Sequence, residues 1–370
     1  MKVTFNKNEL TSALDRVQRA AQTKINSITN NGFFISAANG IVEFQANDYT
    51  IGIKTTCSAD IFEDGVAVIA APQLQSTLRM IPSGDIVMEM GKGENTVSFK
   101  SGSYFSKFPV RNSQDFPEVE EMDHQNHAVI RCKDFADMVS LVQFAAATDK
   151  QKPFFTGVIF EIHDSLFAMA ATNTHRLATK EISLNEPATA AGRIIVPAGI
   201  LSDVIRLLPD GEEEKMEISW SKNHVAFTIG STYFISNLIN GEYPEYQRVI
   251  PQSFDAHAEL NLHDFAEAVR FVSPISRDVN YNTINFHFKQ GVLEVFEEDP
   301  EIGRSDTSIP VKLEGDDIDI TFNCSYIEDI LKHSKGETIT LHLLKSGPML
   351  VEQQDDKTYR YVVTPMRGRN

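Results

Sequence analysis

Apolar side chains along the chain recur at two spacings. In three places they fall at i, i+4 and i+7: Leu10, Leu14 and Val17; Phe135, Val139 and Val142; Phe265, Val269 and Val272. That spacing puts one apolar stripe on a helix face. Polar residues suited to a helix start precede each stripe, at Asn6-Lys7-Asn8, Lys133-Asp134 and His263-Asp264. A shorter stripe follows each one and is stopped by a turn. Leu74, Leu78 and Ile81 run into Pro82-Ser83-Gly84, Leu201, Ile205 and Leu208 into Pro209-Asp210-Gly211, and Tyr326 and Ile330 into Ser334-Lys335-Gly336.

Between the helices the pattern alternates in short strands, such as Val42–Ala46, Leu166–Ala170 and Leu293–Phe296, with turn signals at Asn31-Gly32 and Asn39-Gly40. A closing strand also recurs, as Ser103–Ser106, Thr232–Ser236 and Thr358–Val362. The order of landmarks repeats three times, so the chain reads as three diverged copies of one α+β unit of about 120 residues. The expected units are residues 1–122, 127–250 and 255–370, with linkers near Glu118–His127 and Ile250–Ala256. A period this long suggests whole domains related by rotation; the plainer arrangement is an open string of similar domains.

Suppose two helices from each unit line a closed ring. Six helices at about 8–10 Å spacing make a circle about 17 Å across between axes, which helix thickness of about 10 Å nearly fills. Twelve helices leave about 25 Å clear, enough for duplex DNA of about 20 Å. Only a dimer of such chains could surround DNA.

Composition changes the picture in three ways. The net charge of −17 argues against tight binding to phosphates. Its distribution is uneven, however. Acids crowd the linkers and loops at Glu118–Asp123, Glu212–Glu214, Glu297–Glu301 and Glu314–Asp317. The helices carry Lys7, Arg16, Arg19, Lys24, Arg79, Arg206, Arg270, Arg277, Lys332 and Lys335 against fewer acids such as Glu9, Asp15 and Asp203. A mildly basic lining inside an acidic exterior would let DNA pass without gripping it; an ordinary solvated helix face would look the same. Three scattered cysteines, Cys57, Cys132 and Cys324, make neither a disulfide framework nor a spaced metal site. With no apolar run of bilayer length, the expectation is a reduced cytoplasmic protein without membrane association.

Three segments stand out, of which the first and the last have no equivalent in the other copies, while the second shares its acidic-aromatic-proline start with Asp115-Phe116-Pro117-Glu118 of the first copy. They are Ala171-Thr172-Asn173-Thr174-His175-Arg176-Leu177-Ala178, Tyr243-Pro244-Glu245-Tyr246-Gln247-Arg248-Val249-Ile250-Pro251, and Val362-Val363-Thr364-Pro365-Met366-Arg367. Together, and over the whole chain, they resemble the bacterial sliding clamp family, the beta subunit of DNA polymerase III. The resemblance implies three clamp domains with antiparallel sheets outside and two helices each facing a central channel, closed as a head-to-tail homodimer around duplex DNA. It implies a non-catalytic processivity factor without cofactor or metal, whose partners are the replicative polymerase, a clamp loader and short clamp-binding peptides. The peptide pocket would comprise Phe155, Thr172, His175, Arg176, Leu177, Pro244, Arg248, Val249, Val362, Pro365, Met366 and Arg367, with His175 and Arg176 able to hydrogen-bond a peptide. Lys24, Arg79 and Arg206 would face DNA, and Phe105, Phe271 and Val272 would meet at the dimer seam. The chain departs from the family's usual pattern at Asn173-Thr174, where Asp-Gly is common, at Phe155, usually aliphatic, at Thr364, usually Met, and in the extension Gly368-Arg369-Asn370.

Two other readings compete. An enzyme could be built on His175, Arg176 and an acid such as Glu161, but Gly91-Lys92-Gly93 lacks the spacing of a nucleotide loop. His124 and His127 could take a metal adventitiously. An open three-domain adaptor without DNA is the other alternative.

Overall fold

The computed structural model describes residues 1–21, 32–82, 84–149, 151–278, 282–354 and 356–366. Six helices occupy the positions that the stripes predict: α1 Lys7–Val17, α2 Ala71–Met80, α3 Cys132–Val142, α4 Ala198–Ile205, α5 Leu262–Asp278 and α6 Cys324–His333. In α1 the stripe residues Leu10, Leu14 and Val17 are buried, and Asn6 caps the first turn by accepting the Asn8 N–H at 2.9 Å. The stripe of α4 is rotated from the expected one. Its buried apolar residues are Ile200, Leu201 and Val204, and Leu208 lies in the turn beyond the helix.

Strands join into two antiparallel sheets, and the sheets do not follow the repeats. The first, of 13 strands, runs from His127–Arg131 through Lys215–Trp220, His224–Ile229 and Thr232–Asn237 onto Ile51–Cys57, then across the first repeat to Asp60–Glu63. The second, of 12 strands, runs from Gly192–Pro197 through Gly157–His163, Leu166–Thr172 and Arg176–Ser183 onto Asp356–Val363, then across the third repeat to Ile318–Asn323. Each sheet is the frame of one compact unit. One unit holds residues 1–133, 188–190 and 202–238, and the other holds 134–187, 191–201 and 239–370. The middle repeat thus gives half its strands to each unit.

The cross-repeat pairings are ordinary ladders with particular fittings. Thr232 pairs with Thr55, and their hydroxyls lie 2.9 Å apart in a buried hydrogen bond. Gly52 pairs with Ile235; a Cβ there would stand 3.1 Å from side-chain atoms of both Ile235 and Val119. The first acidic linker seals this joint. The Val119 N–H donates to Gln45 Oε1 and the Met122 N–H to the Tyr233 hydroxyl, each at 2.8 Å, and Lys54 pairs with Glu121 at 2.5 Å. In the other unit, Arg176–Lys180 pairs with Val363–Tyr359.

Each sheet also has an open edge. Tyr104–Pro109 pairs with Thr96–Ser101 on one side, and only Val110 and Arg111 pair with a strand on the other. Gly303–Val311 pairs with Gly291–Asp299, while its outer neighbour engages only Lys312–Gly315. Phe105 on the first edge strand is 65% exposed, and Phe271 on α5 is 62% exposed. Val272 is fully buried. Its expected place at the dimer seam is therefore corrected: at the seventh position of the α5 stripe it belongs to its own domain core.

Candidate functional site

The three segments that carry the resemblance converge in the second unit. The loop after strand Leu166–Thr172, the turn Tyr243–Val249 and the end of strand Asp356–Val363 surround a cleft of about 280 Å³. Phe155, Thr172, His175, Arg176, Leu177, Pro244, Val249 and Val362, which the resemblance assigns to a pocket, line it together with the departing residues Thr174 and Thr364 and with Glu245, Tyr246 and Pro348. Glu245 and Tyr246 stand inside a quoted segment and could have been named; nothing in the sequence pattern marks Pro348.

The cleft floor is a buried cluster that includes Phe155, Leu177, Tyr243, Tyr246 and Val362. Two tyrosines tie it to polar groups. Tyr243 accepts the Thr172 N–H at 3.1 Å, and burial pushes its phenol far above the usual range. Tyr246 donates to Glu161 at 2.8 Å; burial and that carboxylate together raise it further. Both stay protonated and neutral. Glu161 is also held by Arg193 at 3.0 Å and Gln247 at 3.1 Å, so it is not joined to His175 as an enzyme reading would need.

The rim loop is set by side chains bonding to backbone. Asn173 Oδ1 accepts the N–H groups of His175 and Arg176, both at 3.0 Å. Thr172 Oγ1 accepts the Thr174 N–H at 3.0 Å and donates to the Arg176 carbonyl at 2.6 Å. The His175 carbonyl accepts both the N–H and the hydroxyl of Thr364, at 2.9 and 3.0 Å. Two of the departures from the family pattern, the Asn173-Thr174 pair and Thr364, therefore meet in one hydrogen-bonded loop.

Arg176 lines the cleft and also bonds behind it. Its guanidinium donates to Asp329 at 2.6 Å and to the Phe144 carbonyl, and lies over the rings of Tyr326 and Phe144 at 4.6 and 5.4 Å. These contacts fasten the cleft strand to α6 and leave the side chain 9% exposed. Its two terminal nitrogens are occupied within the protein while its buried Nε has no partner among the described residues, and the exposed His175 stands at the rim beside Thr174 and Glu245.

Other expected pocket residues lie apart. Arg248 is exposed on the turn and does not line the cleft. Pro365 and Met366 line a separate groove with Asn285, His287 and Thr321, where the Met366 N–H donates to the Thr321 carbonyl at 2.8 Å. Arg367 lies outside the described residues.

In the first unit, α1 and α2 face a groove of about 810 Å³ that also carries Asp203 and Arg206. Arg16, Arg19, Arg79, Arg206 and Lys215 line it against Asp15, Asp203 and Glu214, five cations less three carboxylates, a net of plus two. Most charges are paired: Arg79 with Asp15 and Arg19 with Asp203 at 2.7 Å each, Arg206 with Asp203 at 3.6 Å. The exposed ends leave a weak positive field, suited to transient phosphate contacts. Arg79 and Arg206, expected to face DNA, line this one groove, while Lys24 lies outside the described residues.

Models of the DNA polymerase III beta subunit match the chain in succession: the N-terminal domain at residues 1–120, the central domain at 129–245 and the C-terminal domain at 247–367. The chain belongs to the DNA polymerase III beta subunit family. The Beta sliding clamp of Chlamydia muridarum is 25% identical over 372 residues, covering 99% of each chain. The solved sliding clamp of Bacillus subtilis superposes with a TM-score of 0.95 at 23% identity, and the beta subunit of Thermotoga maritima with 0.91 at 23%, each covering 100% of both chains. The beta subunit fold, three α+β clamp domains with antiparallel sheets, survives such divergence because it rests on where apolar residues fall rather than on which ones they are.

Proposed function

We propose that this chain is a cytoplasmic, non-catalytic sliding clamp. Two copies close head to tail around duplex DNA, and the cleft of the second unit holds peptide segments of a replicative polymerase, a clamp loader and other partners. Membership in the beta subunit family across all three domains carries this reading. The six helices per chain fit it, since twelve are needed to leave a DNA-sized opening. The open edge strand bearing Phe105 and the exposed Phe271 of α5 supply faces for closure, one copy's Phe105 face meeting the next copy's Phe271 face. Arg79 and Arg206 face the duplex, with the basic residues of α5 and α6 continuing the lining. No helix among the described residues is long and apolar enough to cross a membrane.

Topology gives the test. The chain is loaded onto closed circular DNA by its loader and then filtered away from free protein. It should stay with the circle and be lost within minutes of a single linearising cut. Equal loss from circle and linear DNA would leave only the open-adaptor reading.

A further inference from the structure

Outside the cleft and the basic groove, one cluster of ligating side chains stands out. His257 and His342 are register partners on the paired strands Ala256–Asn261 and Thr338–Leu343. Their Nδ1 atoms lie 2.6 Å apart, with the rings nearly perpendicular at 82°. His342 Nε2 lies 3.1 Å from Glu352 Oε2. Phe254 packs against both rings, at 5.7 and 5.0 Å between centroids.

The carboxylate settles the tautomer. Glu352 accepts the proton of His342 Nε2, so His342 Nδ1 presents a lone pair, and the contact with His257 is filled by a hydrogen on His257 Nδ1. One proton thus sits between two imidazole nitrogens at a partly exposed surface. The surroundings favour a cation there. Glu314 is the register partner of His257 on its other side, and Glu259 lies two residues along the strand, against the single Lys312 that pairs with both.

We propose that His257 and His342 form a cross-strand site for a tetragonal first-row cation, copper(II) before nickel(II), with Glu352 as the positioning residue. The cation takes both Nδ1 lone pairs, His257 carries its proton on Nε2 instead, and water fills the remaining positions. Among the described residues no group of three His, Cys, Asp or Glu side chains is placed to hold a metal, so the site is a two-nitrogen one. Both rings must turn so that two lone pairs now aligned along the 2.6 Å contact converge on one ion. Donor type selects the metal: copper(II) stands highest in affinity for nitrogen donors, and two cis imidazoles completed by water suit its tetragonal shell.

The test is copper(II) titration of the full chain at neutral pH, read by electron paramagnetic resonance and by thermal shift. One equivalent should bind with the hyperfine signature of two imidazole nitrogens and raise Tm. His257→Gln, at an exposed position, should lose that signature and at least about tenfold in affinity, as should His342→Gln. Glu352→Gln should keep the two-nitrogen signature and weaken binding roughly tenfold. Unchanged affinity in His257→Gln, a one-nitrogen signature in the parent chain, or zinc binding tighter than copper would each overturn the proposal.

Discussion

Thr174 holds φ at 79°, a left-handed conformation that a β-branched residue enters at a cost of about 1–3 kcal/mol. The hydrogen bonds of Thr172 and Asn173 hold it there, and the Thr174 side chain is exposed. Thr174→Gly should therefore stabilise the chain by about 1 kcal/mol in urea unfolding, less the extra entropy that glycine gives the unfolded state. A loss would mean that the threonine side chain itself supports the rim. Val249 offers the complementary experiment, because it lines the cleft yet is 56% exposed. Val249→Asp should leave Tm within about 1 °C and weaken a bound clamp-binding peptide at least about tenfold, since a carboxylate would have to be desolvated against an apolar floor. Unchanged affinity by fluorescence anisotropy would remove the cleft from the partner site. At this scale the sequence was a good guide to which residues gather and a poor guide to what each does. Eight of the twelve expected pocket residues line one cleft, seven from the three short segments that carry the resemblance and Phe155 from the turn before strand Gly157–His163. The partners of Arg176 were not legible, because Asp329 and the Phe144 carbonyl are 153 and 32 residues away.

All six helices were legible from spacing alone, because an apolar stripe must be buried wherever the helix packs. Their detailed ends and faces were less so, and α5 shows why. It continues through Pro274, which has no N–H for the Arg270 carbonyl. The hydroxyl of Ser273, itself buried, donates to that carbonyl at 3.2 Å and replaces the missing bond. Ser273→Ala should thus cost about 1–2 kcal/mol in chemical unfolding. In a Pro274→Ala background the same change should cost clearly less, since the backbone N–H of residue 274 then serves the carbonyl. Equal costs in the two backgrounds would show that Ser273 acts through packing alone. The sheets were the least legible element. Strand Thr232–Asn237 pairs with Ile51–Cys57, and Arg176–Ser183 with Asp356–Val363, each nearly half the chain away in sequence. Alternation marks a strand but carries no information about a remote partner, so three repeats were visible while their fusion into two sheets was not.

For the whole molecule, the two open edges raise the question of closure. An unpaired edge with an exposed phenylalanine invites association, and natural sheets rarely leave one bare. Phe105 belongs to the first repeat and Phe271 to the third, so a head-to-tail pair of copies has two identical seams, each joining one Phe105 face to one Phe271 face. Phe105→Asp alone, or Phe271→Asp alone, damages both seams of its homodimer. Each variant should weaken association by at least about a hundredfold, roughly 3 kcal/mol, and sediment at micromolar concentration near the 41.4 kDa of one chain. An equimolar mixture behaves differently. One seam then collects both aspartates, and the other pairs the intact Phe271 face of the first variant with the intact Phe105 face of the second. The mixture should recover a two-chain mass while failing to stay on closed circular DNA, because the ring remains open at the doubly altered seam. Seams joining like faces would predict no such recovery, since each single variant would keep one intact seam and a two-chain mass before mixing. Sedimentation of the mixture therefore tests the head-to-tail order directly, and its loss from circular DNA separates association from encirclement.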